Sequence, residues 1–423
     1  MPGRVTLKVT GGPLAGRLFA YERHDTFLFG RSPDCHAELS ADDTTASRHH
    51  FLLEVNPPRA RLRDLGSLNG THVNGVKYGG RSRQESPEEA ARHQLSEVDL
   101  RDGDRIRVGA TIFEVGVEGH GSTGPADRRD GGGGAPLESL LGARPEGGRV
   151  DIPGYAVGRM IGRGGMGAVY LAKREADGST VALKVMLAQA DIDETAREAF
   201  QREIEVTRSL RHPRIVSLID HGSTQSTFYF AMEYCAGGSV ADLQRRQPGG
   251  LPVALAVGIA LESLEGLAFA HEQGFVHRDL KPENLLVADD TGAGAKVTDF
   301  GLAKSFQQAG LSGMTATGAV AGTLYFMPRE QLTHFRLLKP VSDVWSMGAT
   351  LYHMLTGVYA REFRPGEDPL PVILRGGVVP IRARDPRLPE AVAAVVDRAV
   401  ADGVEHRYQT AGEFRDALSR AVS

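Results

Sequence analysis

Asp279, Lys281 and Asn284 sit together in Val276-His277-Arg278-Asp279-Leu280-Lys281-Pro282-Glu283-Asn284, and Asp299 follows in Thr298-Asp299-Phe300-Gly301. A carboxylate placed like Asp279 can orient a hydroxyl and accept its proton. Asn284 and Asp299 offer oxygen ligands to a magnesium ion, and Lys281 is placed to reach a transferring phosphate. The chemistry these groups share is phosphoryl transfer. The two aspartates are 20 residues apart (299 − 279), a spacing that a short hairpin folds onto one cleft. Either motif alone could arise by chance, but the ordered pair is hard to explain otherwise.

A phosphate donor needs a cradle, and Gly162-Arg163-Gly164-Gly165-Met166-Gly167 offers one, because glycines let backbone approach a phosphate without side-chain clash. Such a loop by itself is weak evidence, since dinucleotide-binding turns share it. A dinucleotide turn should open a helix. Here Ala168 to Ala172 continues as a strand, and a second strand carries Val181-Ala182-Leu183-Lys184, with Lys184 17 residues past Gly167 (184 − 167). The pattern predicts a glycine-rich flap over nucleotide phosphates with a lysine on the next strand. A nucleotide-dependent oxidoreductase fails for want of βαβ context. Further along, a helix is predicted from about 195 to 210, with Phe200, Ile204, Thr207 and Leu210 on one face. A strand follows at 228–232 and a helix at 251–273.

Taken in order, these stretches resemble the protein kinases, and Asp-Leu-Lys-Pro-Glu-Asn at 279–284 resembles the serine/threonine class. Gly164-Gly165-Met166-Gly167, together with the two-threonine loop described below, resembles the bacterial Hanks-type members. The resemblance implies an α+β bilobal fold using ATP with Mg2+, or Mn2+ as an alternative. It places Ile161, Gly162, Gly164, Gly165, Gly167, Val169, Ala182, Lys184, Met232, Glu233, Cys235 and Leu286 around the nucleotide. Lys184 would hold the α- and β-phosphates and pair with Glu203, which lies nine residues before His212-Pro213 (212 − 203), with Glu205 as the fallback. Glu233-Tyr234-Cys235 would be the hinge, Met232 would guard a back pocket, and His277 would be structural. Asp279 would position the acceptor hydroxyl, while Asn284 and Asp299 bind metal. Met314-Thr315-Ala316-Thr317 implies autophosphorylation at Thr315 and Thr317, whereas Thr323 belongs to a Gly-Thr motif expected to stay unmodified. Arg278 would be a cation able to pair with a phosphorylated loop. The family's Ala-Pro-Glu appears as Met327-Pro328-Arg329-Glu330, a departure at the turn, with Glu330 still able to pair with Arg407. Asp343 is expected to anchor the catalytic loop.

The first 117 residues read differently. Val5–Val9, His50–Val55, Arg105–Val108 and Thr111–Val115 have β character, and turn signals such as Asn56-Pro57-Pro58 and Asn74-Gly75 separate them. An all-β sandwich follows, interrupted by a charged insertion at 85–97. Between strands lie Gly30-Arg31-Ser32, Ser47-Arg48-His49-His50 and Ser67-Leu68-Asn69-Gly70-Thr71-His72-Val73-Asn74-Gly75. Turn chemistry accounts for Asn74 and Gly75. The whole ordered set resembles the forkhead-associated (FHA) domains. That implies phosphothreonine binding, with Arg31, Ser47 and Arg48 on the phosphate, Asn69 on the peptide backbone and His50 bracing the loops from inside. Ser32 and His49 would be bystanders.

The expected organisation is therefore multidomain: an FHA sandwich at 1–117, a flexible Gly-rich linker at 118–150 and a kinase domain at 151–423. The formal net charge of −4 gives no reason to expect nucleic acid or an anionic membrane. The two cysteines, Cys35 and Cys235, support neither a disulfide framework nor a cysteine-rich metal site. The start lacks a signal peptide's apolar run, and Leu251–Ala260 is too short to span a bilayer before Glu262, so a cytoplasmic protein is expected. The leading expectation is a serine/threonine kinase acting on protein hydroxyls, its own loop included, and recruited by phosphothreonine. The alternative is a pseudokinase adaptor, although none of Lys184, Asp279 and Asp299 is lost.

Overall fold

The structure is a computed structural model that describes residues 3–81, 97–119, 151–164, 167–187, 204–205, 207–223, 227–289, 291–300, 324–333, 338–365 and 367–423. Residues 4–81 and 97–118 form a sandwich. One sheet contains β1 (Arg4–Gly11), β2 (Leu18–Tyr21), β7 (Thr71–Val73), β8 (Val76–Tyr78), β10 (Arg105–Val108) and β11 (Thr111–Glu118), in the order β2-β1-β11-β10-β7-β8. The other contains β3 (Asp25–Gly30), β4 (Ala37–Glu38), β5 (Phe51–Asn56), β6 (Arg59–Asp64) and β9 (Glu97–Leu100), in the order β4-β3-β5-β6-β9. Alternation along β1 sends Val5, Leu7 and Val9 inward. They meet Phe29, Phe51, Leu53 and Phe113, with the Phe29 and Phe51 rings stacked at 4.4 Å.

After residue 151 the chain builds two lobes. The first is a five-stranded antiparallel sheet of β12 (Tyr155–Gly164), β13 (Gly167–Arg174), β14 (Thr180–Leu187), β15 (Leu218–Ser223) and β16 (Thr227–Glu233), in the order β12-β13-β14-β16-β15. The second is helical and includes α1 (Val240–Arg246), α2 (Val253–Glu272), α3 (Glu330–Thr333), α4 (Pro340–Thr356), α5 (Pro369–Arg375), α6 (Ile381–Arg384), α7 (Glu390–Ala399) and α8 (Ala411–Val422). A small sheet of β17 (Gly238–Ser239), β18 (Leu285–Val287) and β19 (Lys296–Val297) faces the first lobe.

α2 corrects one expectation. The apolar run continues past Glu262 into a 20-residue helix of mean hydropathy 1.7, long and apolar enough by length and composition to cross a membrane. In the fold, Ala256, Val257, Ile259, Ala260, Leu264, Leu267 and Ala270 are buried in the core of the helical lobe. It is an interior helix, which is why it lacks a clean polar face.

The sandwich also rests on the helical lobe. β5 breaks the alternation expected of a sheet with one wet face, because Leu52 is buried along with Phe51 and Leu53. Cross-strand register places Leu28, Leu52 and Arg63 side by side on that outer face. Leu28, Leu52 and Leu65 pack against Leu370 and Leu374 of α5, and fully burying a leucine is worth about 1.5–3 kcal/mol. Two ion pairs flank the cluster, Arg63–Asp368 at 2.8 Å and Arg329–Asp34 at 2.6 Å.

Candidate active site

The glycine flap is the β12–β13 turn. Gly164 pairs with Gly167 across it, so the chain does continue as strand and not as helix. A Cβ at Gly167 would lie 2.0 Å from the Val185 carbonyl oxygen, so only glycine lets β13 approach β14 there. Register then places Val169 opposite Lys184 and Ala182 opposite Met232. With a side-chain period of two, all four project from one face of the sheet, toward the second lobe. Met232 lines a small cavity with Leu210, Val216, Asp299 and Phe300, and Leu286 packs beside Met232 and Cys235.

The second lobe supplies the carboxylates. β18 and β19 pair antiparallel, Leu285 opposite Val297, so the expected hairpin folds Asp279 and Asp299 onto one cleft. Lys184 Nζ lies 2.7 Å from Asp299 Oδ2. Burial alone would raise the Asp299 carboxyl, but the charge and hydrogen bond of Lys184 outweigh it and hold the group below its ordinary range. Asp279 accepts from Lys281 Nζ at 3.0 Å and from Asn284 Nδ2 at 3.1 Å. Asn284 Nδ2 also donates to the Asp279 carbonyl at 2.7 Å, which leaves its amide oxygen for another partner. Asp299 Oδ1 is buried and makes no hydrogen bond among the described residues. An orphaned carboxylate oxygen beside an uncommitted amide oxygen suits a hard, oxygen-seeking cation such as Mg2+.

His277 is fully committed. Its Nδ1 accepts from the Asp279 amide at 3.2 Å and its Nε2 donates to the Thr298 carbonyl at 2.8 Å, while its ring meets Phe300 edge-on at 4.7 Å. Neither nitrogen is left for proton transfer, as the structural assignment expected. Asp343 accepts from the amides of His277 at 2.7 Å and Arg278 at 2.8 Å, and pairs with His271 Nε2 at 2.8 Å. This clamp holds Arg278 at φ 70° and, through His277, underpins Asp299 at φ 64°. Such left-handed conformations cost about 1–3 kcal/mol each and persist only where surrounding bonds enforce them.

In the sandwich, the expected pocket residues cluster at one end. A Cβ at Gly30 would lie 2.0 Å from the Arg48 carbonyl oxygen, so the Gly-Arg pair is a close-approach device. Arg31 Nε donates to the Ala46 carbonyl at 2.6 Å, Ser47 Oγ accepts from the Leu68 amide at 3.0 Å, and Asn69 Nδ2 donates to the Thr45 carbonyl at 2.7 Å. Arg48 is exposed. His50 is wholly buried, accepting from the Ser47 amide at 2.9 Å and reaching the Gly70 carbonyl at 3.3 Å, and burial holds its pKa below the ordinary value. It braces two loops from inside.

A protein kinase domain model matches residues 155–369, which is 215 of the 423 positions. The chain belongs to the protein kinase family. An FHA domain model matches residues 27–109. The serine/threonine-protein kinase PknJ of Mycobacterium tuberculosis is 34% identical over 275 residues, 64% of this chain and 45% of that protein. PknB of the same species is 34% identical over 273 residues, 63% of this chain and 42% of that protein. The chain thus spans less than half the length of the curated relatives it matches. Among solved structures, Rad53 1–466 in complex with AMP-PNP is 22% identical with a TM-score of 0.51, covering 98% of each chain, a likeness of fold.

Within the kinase domain some expected pairings differ. Glu203 lies outside the described residues, as do Gly165, Thr315, Thr317, Thr323 and the insertion at 85–96. The fallback, Glu205, does not meet Lys184. It pairs with His221 of β15 at 2.9 Å and with Arg208 at 3.4 Å, and the described partner of Lys184 is Asp299. Glu233 turns its carboxylate to Lys296, the β19 residue next to Val297, so its side chain braces the hinge from below. Burial, then the Glu233 charge, pushes the Cys235 thiol up to about 11. At pH 8 about one thiol in a thousand would be ionised, so Cys235 should resist iodoacetamide over hours, as peptide mass spectrometry would read. Rapid stoichiometric labelling would contradict this hinge geometry.

Two positions escaped the sequence reasoning. Asp64, completely buried, accepts from the Ser67 amide and hydroxyl and from Thr71 Oγ1, each at 2.8 Å, and so sets the loop that carries Asn69. Its signal was an aspartate at a strand end before Gly66-Ser67, an Asx-turn pattern. His49, expected to be a bystander, is buried against Asp34 at 2.9 Å.

Proposed function

We propose that this protein is a serine/threonine protein kinase that moves the γ-phosphate of ATP to protein hydroxyls, including Thr315 and Thr317 of its own activation loop. The observation that carries this is one cleft holding Lys184, Asp299, Asp279, Lys281 and Asn284 together, with Lys184 lying 95 (279 − 184) to 115 (299 − 184) positions before the others. In this proposal Lys184 binds the α- and β-phosphates and gives up its contact with Asp299 as nucleotide enters. Asp279 orients the acceptor hydroxyl and takes its proton, and Lys281 neutralises charge on the transferring group. Asn284 and Asp299 would hold Mg2+, which when bound offsets phosphate charge. Ile161, Val169, Ala182, Met232 and Leu286 form the apolar walls for the base.

The FHA domain in this proposal captures phosphothreonine proteins, its own kinase domain among them, through Arg31, Ser47, Arg48 and Asn69. Both cysteines carry free thiols, which suits the reducing cytoplasm as its setting. The deciding experiment is phosphosite mass spectrometry after incubation with ATP and Mg2+, beside an Asp279→Asn control. Phosphate on Thr315 or Thr317 in the wild type alone is expected. No incorporation by a protein that still binds nucleotide would overturn the activity in favour of an adaptor.

A further inference from the structure

Arg329 occupies the position of the proline in the family's Ala-Pro-Glu, and its guanidinium leaves the kinase domain for the FHA domain. Nη2 lies 2.6 Å from Asp34 Oδ2, and Asp34 also meets His49 Nε2 at 2.9 Å. These two FHA residues hang on the segments that carry the proposed phosphate contacts: Arg31 lies three positions before Asp34, and Ser47 and Arg48 directly precede His49. The segments are laced together. The Arg31 amide donates to Ser47 at 3.1 Å, the Ser32 amide to Arg48 at 3.0 Å, and the Cys35 thiol to the same Arg48 carbonyl at 3.4 Å. On the kinase side, Gln331, two residues beyond Arg329, donates from Nε2 to the Arg278 carbonyl at 2.8 Å, immediately before Asp279.

Adhesion and registration have different sources here. The leucines at positions 28, 52, 65, 370 and 374 are at most 6% exposed and supply the non-directional part. The Arg329 and Asp34 side chains are 42% and 23% exposed, so solvent screens their attraction, and the pair sets alignment more than strength.

We propose that the Arg329–Asp34 contact is a latch coupling phosphothreonine capture to docking of the FHA domain on the kinase domain; the proposal rests on the phosphothreonine reading of the pocket. A phosphate held by Arg31, Ser47 and Arg48 fixes both laced segments, and the same segments present Asp34 and His49 to Arg329. Pocket occupancy therefore tightens docking, and by reciprocity docking raises pocket affinity. The captured partner is then a phosphothreonine protein held beside the end of the activation segment.

The test uses the full chain and a fluorescent peptide library with a fixed phosphothreonine among randomised neighbours, beside its unphosphorylated counterpart. Arg329→Asp should weaken binding of the phosphorylated library about fivefold or more, and Arg329→Asp with Asp34→Arg should restore it. Asp368→Asn, which removes the charge facing Arg63 from the kinase side and lies on no pocket segment, should weaken it in the same direction. Amide hydrogen exchange across β3, β5 and α5 should slow when the library binds the wild type, and should be faster in Arg329→Asp without peptide. Fluorescence of the sole tryptophan, Trp345, checks that the kinase domain of each variant is folded. Wild-type affinity and unchanged exchange in Arg329→Asp would overturn the latch. A wild type that does not distinguish the two libraries would overturn the pocket reading and the coupling together. The exchange comparison without peptide would still decide whether the domains dock through Arg329.

Discussion

Asp279→Asn should lower kcat for protein phosphorylation about 10²–10⁴-fold, the usual contribution of a positioned general base, while ATP affinity stays within about threefold under the same reasoning. The asparagine amide cannot take a proton. It also sets a donor against Lys281 Nζ and Asn284 Nδ2, which now both donate to the carboxylate. The hydroxyl would lose its acceptor and the loop its local charge balance. Nucleotide contacts are spared, because Lys184 is held by Asp299 and not by Asp279. Steady-state phosphorylation of a serine/threonine peptide, beside titration with a fluorescent ATP analogue, separates the two quantities. Retention of a tenth of wild-type kcat would remove Asp279 from the base role. A parallel loss of ATP binding would point to a collapsed cleft.

Arg407→Met should destabilise the helical lobe by about 3–5 kcal/mol, the cost of breaking a buried ion pair by removing one partner. Arg407 is 1% exposed. It spans Glu330 with contacts of 2.6 and 3.2 Å and donates to the carbonyls of Ala401 at 2.6 Å and Asp402 at 3.0 Å. The variant strands a carboxylate and two carbonyl oxygens, none of which methionine can satisfy. Against a typical domain stability of about 5–15 kcal/mol the loss is large. Trp345 is wholly buried, donates to the Val400 carbonyl at 2.9 Å, and lies under the Arg361 guanidinium at 4.2 Å, so its fluorescence in urea reports this lobe alone. An unchanged midpoint would show that the pair adds nothing net. Arg361, also 1% exposed, donates to the Met327 carbonyl at 3.1 Å and is the second cation beneath the same turn.

That turn shows how the departure at Met327-Pro328-Arg329-Glu330 is accommodated. Glu330 keeps its partner, the Met327 carbonyl is held by Arg361, and Arg329 is free to point at the other domain. Sequence alone marked the residue as an exception and could not say what it met.

Much of the site was legible because its residues constrain their own neighbourhoods. His277 to Asn284 fix one another through bonds spanning two to five positions, Asp279 to His277 and Asn284 to Asp279 among them. The spacing between Asp279 and Asp299 fits the β18–β19 hairpin, and the two-residue period of β14 puts Ala182 and Lys184 on one face. Gly167 was readable as part of a phosphate flap and Gly30 as part of a Gly-Arg pair, but that each sits where backbone meets backbone came from the structure. Asp343 and the Glu330–Arg407 pair were reached through family resemblance, since nothing local in the chain announces them.

The tertiary structure decided the partners that no local bond selects. Lys184 meets Asp299 across 115 positions, and Glu205 turns to His221. Leu52 is buried on the face a lone sandwich would leave wet, and Arg329 finds Asp34 across 295 positions. The run His50-Phe51-Leu52-Leu53 carried a hint of this in its broken alternation. Turn chemistry and strand period are short-range and directional, so they can be read along the chain. Apolar packing is non-directional, and which leucine covers which is settled only when both surfaces exist.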